Sequence, residues 1–134
     1  MATQILVDNS SGEIKYSGTF LNPSPYDIAF EVYGTPDASS NVLNFKAVRD
    51  FQIQATGHVG SCTTAPSSST VFTVKKDGSS IGTITFASGQ TTATTSISQT
   101  NVSSGEVITV VAPSNLNSLA NPYFTIVATC PTIA

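Results

Sequence analysis

Apolar and polar residues alternate with a period of two along much of this chain. The stretch "YDIAFEVYG" at 26–34 shows it most cleanly. Tyr26, Ile28, Phe30 and Val32 fall on one side and Asp27 and Glu31 on the other, as in a half-buried strand. Alternating or β-branched runs recur at 4–8, 13–20, 44–53, 71–76, 81–86, 91–98, 106–112 and 122–129. Gly, Pro, Asn and Ser clusters separate them at a spacing of about 10 residues, which predicts an all-β fold. The expected architecture is an antiparallel β-sandwich, immunoglobulin-like or jelly-roll-like, with about 8–9 short strands. The prolines sit at segment edges, where strands tolerate them. No window carries a long helical period with caps. "SNLNSLA" at 114–120 allows a turn or two of helix at most.

"VFTVKKDGSSIGTITF" at 71–86 reads as a hairpin. Phe72 and Val74 should share the core side with Ile84 and Phe86, because facing positions in an antiparallel pair keep one side. Pairing Phe72 with Ile84 sets Val74 opposite Gly82 and Lys76 opposite Ser80. Asp77, Gly78 and Ser79 are then expected as a three-residue loop, with glycine taking the left-handed position. A two-residue turn would slip the register by one and turn an apolar set outward. Lys75 and Lys76 are expected at a solvated tip, guarding the edge against aggregation.

A chain of 134 residues fits one domain and can bury a core without metal or several disulfides. Residues 26–134 are expected to form the sandwich. Residues 1–25 form a leader: either an arm that adds a strand to a neighbouring protein's sheet, or the first strands of the domain itself. The leader lacks the basic start and apolar run of a signal peptide. "SCTTAPSSSTV" at 61–71 reads as a long surface connection.

Composition narrows the function. Only 10% of residues are charged and 40% are hydrophobic. Serine and threonine take the place of charge, which suits strands and turns rather than surface helices. The net charge of -3 argues against nucleic-acid binding, which needs a basic footprint. No apolar run approaches the ~20 residues of a membrane span.

Candidate chemistry is sparse. His58 is the single histidine. A zinc site from His58, Cys62 and Cys130 lacks the usual C-x-x-C spacing. A catalytic triad of His58 with Asp50 and a serine lacks a G-x-S-x-G elbow. Asp27 and Glu31 are four residues apart on a strand, roughly 13 Å. Paired glycosidase carboxyls lie ~5–9.5 Å apart, so these two read as a solvated face. No Walker loop, dinucleotide fingerprint or EF-hand loop is present. No cofactor or metal is therefore expected. Cys62 and Cys130 are either bridged or free thiols; a bridge is favoured for a protein that ends up outside a cell. The four tyrosines mostly fall on strand patterns, so they read as core or interface residues rather than a sugar platform.

The stretch "STVFTVKKDGSSIGTITFASGQTTATTSISQTNVSSGEVITVVAPSNLNSLANPYFTIVAT" at 69–129 resembles a β-sandwich domain recurrent in tailed-bacteriophage virion proteins. The matching pieces are Val71 to Gly78, Ile81 to Ala87, Gly105 to Pro113 and Leu119 to Val127. "YDIAFEVYGTP" and "VRDFQIQATG" resemble the segment that precedes that domain, so the likeness covers roughly 26–129. The two cysteines are not part of the pattern, and related copies often end longer tail or fibre chains. The resemblance implies no catalytic residues. It implies a non-enzymatic virion component, first a capsid decoration (cement) or head-fibre protein. A tail-fibre or baseplate protein, or a glycan-binding module at a host surface, is the alternative. The implied partners are the major capsid or tail protein and further copies of the chain, as in a trimer, with no nucleic acid and no membrane. The implied location is the virion surface after synthesis in the host cytoplasm.

Overall fold

A computed structural model of the chain describes residues 24–130 in full. Before them it describes the pairing of Gln4–Asp8 (β1) with Glu13–Ser17 (β2) in a two-stranded antiparallel sheet. The question of a docking arm against first strands of the domain therefore falls largely outside the described residues. Only the end of the expected leader is settled. Ser24–Pro25 (β3) pairs with the last strand, so the sandwich begins before residue 26.

The described residues are all-β. Ile28–Glu31 (β4), Asn41–Lys46 (β5), Phe51–Ile53 (β6), Val59–Ser61 (β7), Thr70–Lys76 (β8) and Ser79–Phe86 (β9) follow in order. Then come Thr94–Ile97 (β10), Thr100–Val102 (β11), Val107–Val111 (β12), Tyr123–Ile126 (β13) and Ala128–Cys130 (β14). The described residues form fourteen strands against the expected eight or nine: the runs at 44–53 and 122–129 are each broken in two, and β3, β7 and β11 are short strands outside every expected run. The run at 44–53 is the clearest case. Its first part is β5, a break follows at 47–50, and its second part, β6, lies in a different sheet. Residues 114–120 form turns, and Leu116 and Leu119 still point into the core.

One layer is a five-stranded sheet in the order β10-β9-β8-β12-β5. The other is built on the run from Tyr123 to Cys130. Its partner on one side is the run from Ser24 to Glu31, in a single register from Tyr123↔Glu31 through Ile126↔Ile28 to Cys130↔Ser24. On its other side lie β7, against β13, and β6, against β14. β11 extends this layer beyond β6. We call the two layers the front and back sheets.

Alternation turns one side of each sheet inward. Phe72, Val74, Ile84, Phe86, Ile108 and Val110 are buried from the front sheet. Ile28, Phe51, Ile53, Phe124, Ile126 and Ala128 are buried from the back. Phe124 joins the layers: its ring lies 5.2 Å from that of Phe72 and 5.9 Å from that of Phe86, both near edge-to-face. Such pairs add about 0.5–1.5 kcal/mol each beyond simple burial. A second aromatic group closes the other end, with Phe51 5.0 Å from Tyr26 and 6.0 Å from Phe45.

The hairpin at 71–86 corrects one expectation. Phe72 pairs with Ile84 and Val74 with Gly82, as the pattern predicts. The loop is shorter than the three residues Asp77, Gly78 and Ser79. Ser79 pairs with Lys76, leaving Asp77 and Gly78 as a two-residue turn with φ of 46° and 85°. Positive φ at both central residues is the type I′ geometry that suits strand twist. The register slip such a turn would impose is absorbed by a bulge, since the ladder passes from Val74↔Gly82 to Lys75↔Ser80 and skips Ile81. Asp77 also accepts from the Val107 N–H at 2.8 Å. Lys76 is not at a free tip: it bonds the Asn101 carbonyl at 3.0 Å and pairs with Glu106 at 3.3 Å.

Gly82 has no room for a side chain. A Cβ there would overlap the Ser96 carbonyl oxygen and lie 2.5 Å from the Ile97 Cα, both backbone atoms of the adjacent β10. Gly82→Ala should therefore destabilise the protein by about 1–3 kcal/mol, the usual cost of overpacking. Urea unfolding checks this; an unchanged midpoint would contradict the close approach of β9 and β10.

Candidate functional site

His58 is buried, and both ring nitrogens are engaged by backbone. Nδ1 accepts from the Val127 N–H at 2.9 Å, so the proton sits on Nε2, which donates to the Gln54 carbonyl at 2.7 Å. Val127 is the one residue between β13 and β14. Its carbonyl accepts from the Gln54 N–H at 3.0 Å. The chain between β6 and β7 leaves the ladder there, and the imidazole supplies the missing backbone partner. Neither nitrogen is left for a metal or for a serine, and Asp50 is committed elsewhere, accepting from the Ser104 N–H at 2.8 Å. Among the described residues no three His, Cys, Asp or Glu side chains gather closely enough to hold a metal.

His58→Ala strips buried partners from Val127 and Gln54. Leaving such groups unsatisfied costs about 1–3 kcal/mol each. The variant should unfold at clearly lower denaturant, and amide exchange at Val127 should accelerate. Exchange at Val127 as slow as in the wild type would exclude the clasp.

Cys62 and Cys130 are free thiols, and the favoured bridge is not formed. The ladder gives the reason. Cys62 follows Ser61, which pairs with Tyr123, whereas Cys130 lies at the far end of that same run. The strand rise places them roughly 20 Å apart. A disulfide needs Cα atoms within about 7 Å. Burial pushes the Cys62 thiol's pKa up, because it disfavours the thiolate. Cys130 is half-exposed. Two thiols should titrate after denaturation without reductant. In the folded protein iodoacetamide should modify Cys130 well before Cys62; equal rates would contradict the burial of Cys62.

The surface features lie elsewhere. Of the described tyrosines, only Tyr26 fits the expectation of core packing. It lies against Phe45 and Phe51, with the Arg49 guanidinium 5.8 Å above its ring. Tyr123 is 49% exposed and Tyr33 87% exposed. Tyr123 is on the outer face of the back sheet, because its neighbours Phe124 and Ile126 take inward and Thr125 outward positions. Open troughs flank it. One of about 320 Å³ runs toward Ala29 and Glu31, and one of about 130 Å³ toward Val59 and Ser61. Phe124 contributes to both floors. Period-two alternation was visible in "YFTI", but the side taken by Tyr123 follows only from the burial of Phe124.

A second, more polar cleft of about 550 Å³ lies between 35–38 and 114–118. Its loop is held by Asn117, whose side-chain amide donates to the buried Thr70 hydroxyl at 3.0 Å. Asn121 ties the neighbouring loops together: its carboxamide oxygen accepts from the Gly34 N–H at 2.7 Å, and its amide donates to the Thr63 hydroxyl at 2.7 Å. Asn117 and Asn121 both have positive φ, so these asparagines set backbone shape as well as hydrogen bonds.

Comparison with protein families, with curated proteins and with solved structures returns no match for this chain.

Proposed function

We propose that the protein is a non-enzymatic structural component of a bacteriophage virion, a capsid decoration (cement) or head-fibre protein at the particle surface. The observation that carries this reading is the sequence resemblance over 26–129. Its four matching pieces are not scattered over the molecule. They supply β8, β9, β12 and β13 and the buried Leu119, which form the centre of the sandwich. The pieces thus behave as one packed unit with a common core.

One further observation supports it. Ser24 and Cys130 are paired neighbours, so the first and last residues of the fully described stretch lie together at one end of the sandwich. The loops at 32–40, 62–69 and 112–122 gather at the other end, where the run from Tyr123 begins. A protein attached through its leader would present these loops outward. Its partners would be the major capsid or tail protein, with further copies of the chain in a symmetric cluster.

The test is to purify the source particles, identify this chain by mass spectrometry and count its copies by cryo-electron microscopy. Hundreds of copies distributed over the shell are expected for a decoration protein. A few copies at the tail would transfer the reading to a fibre or baseplate component. Absence from the particles, with no binding of added protein, would end it.

A further inference from the structure

We propose that the outer face of the back sheet around Tyr123 is a binding site for neutral or amino sugars. A saccharide ring has an apolar face of C–H groups and a rim of hydroxyls. Tyr123 supplies an exposed ring whose negative face attracts those C–H groups. The troughs on either side give a bound ring somewhere to sit. Their walls carry hydrogen-bonding groups of the right kind. The Glu31 carboxylate accepts strongly from a hydroxyl or an ammonium, and the Ser61 and Thr125 hydroxyls both donate and accept. Apolar floors with few convergent polar groups are the usual make-up of small-ligand sites. Tyr123 is directly paired with both Glu31 and Ser61, so these groups flank it on one rung of the sheet.

The troughs cross three strands, β4, β13 and β7. At normal strand spacing that is about 10 Å, and four residues along a strand add about 13 Å, dimensions that suit one or two sugar rings. Charge narrows the ligand further. Glu31 is the charged residue lining the troughs, so acidic sugars are repelled and amino sugars favoured. This site is independent of the virion reading, since it rests on the surface alone.

The experiment uses the full chain on an array of bacterial and animal glycans, followed by calorimetry with the strongest hit. Binding to neutral or amino sugars is expected. Tyr123→Ala should weaken it about tenfold, in line with the loss of one aromatic contact. Glu31→Gln should weaken amino-sugar binding by about tenfold or more through loss of a charge-assisted bond. Val71→Ala, on the opposite sheet, should change nothing. Three results would overturn the proposal: no glycan bound by the wild type, binding that survives Tyr123→Ala, or a sedimenting oligomer that Tyr123→Ala converts to monomers. The last would assign the surface to a second copy.

Discussion

The packing of Phe124 between the two sheets is the interaction on which the rest depends. Its ring meets Phe72 and Phe86 from the front sheet and lies 4.9 Å from Phe30 on its own. Gly60 lies across the ladder from it, and a Cβ at Gly60 would come within 2.9 Å of the Phe124 ring. The glycine thus sets the ring's position from the side, while the front sheet sets its depth. Losing a buried phenylalanine generally costs about 3–5 kcal/mol, a large share of a small domain's stability. The same residue fixes the surface. With Phe124 inward, Tyr123 must face outward, between the two troughs.

The back sheet shows how an imperfect ladder is completed. The run from Tyr123 to Cys130 keeps one register with 24–31, but its other neighbour departs from it between β6 and β7. Unpaired backbone there would be costly, since it is buried. His58 and Gln54 meet that need. A lone histidine in a sequence invites a catalytic or metal reading; here the imidazole serves as a substitute peptide group. A protein without strong surface charge relies on such local hydrogen bonds, and Asn117 and Asn121 do the same work at the loops.

The centre of the front sheet was legible because β8 and β9 are the longest strands and carry an alternating apolar pattern. The core sides of β8 and β9 followed from Phe72, Val74, Ile84 and Phe86 alone. The turn was legible only in part. Asp77-Gly78 announced a hairpin, but the bulge at Ile81 leaves no separate mark in composition, so its loop read one residue too long. β7 and β11 are three residues each, too short for any period to register. The crossing at 47–50 was hidden because Phe45, Ala47, Phe51 and Ile53 keep one phase across it, less regularly at Val48 and Arg49, while the chain changes sheets. The cysteines were misjudged for a related reason. Sequence spacing carries no information on which ends of a strand two residues occupy.

The exposed tyrosines carry the same lesson into function. Tyr26 and Tyr123 both sit on alternating runs, and nothing in either run says which side faces water. The choice was made by neighbours distant in sequence: Phe45 and Phe51 take Tyr26 into the core, and Phe72 and Phe86 hold Phe124 so that Tyr123 is left outside. The scaffold therefore spends its large aromatic side chains on joining two sheets, and the recognition surface follows from the alternation this imposes. The packed neighbour fixes the backbone that carries the ring, so the core sets where Tyr123 projects from the sheet. Burial in the core and exposure at the surface arise from one dipeptide, Tyr123-Phe124.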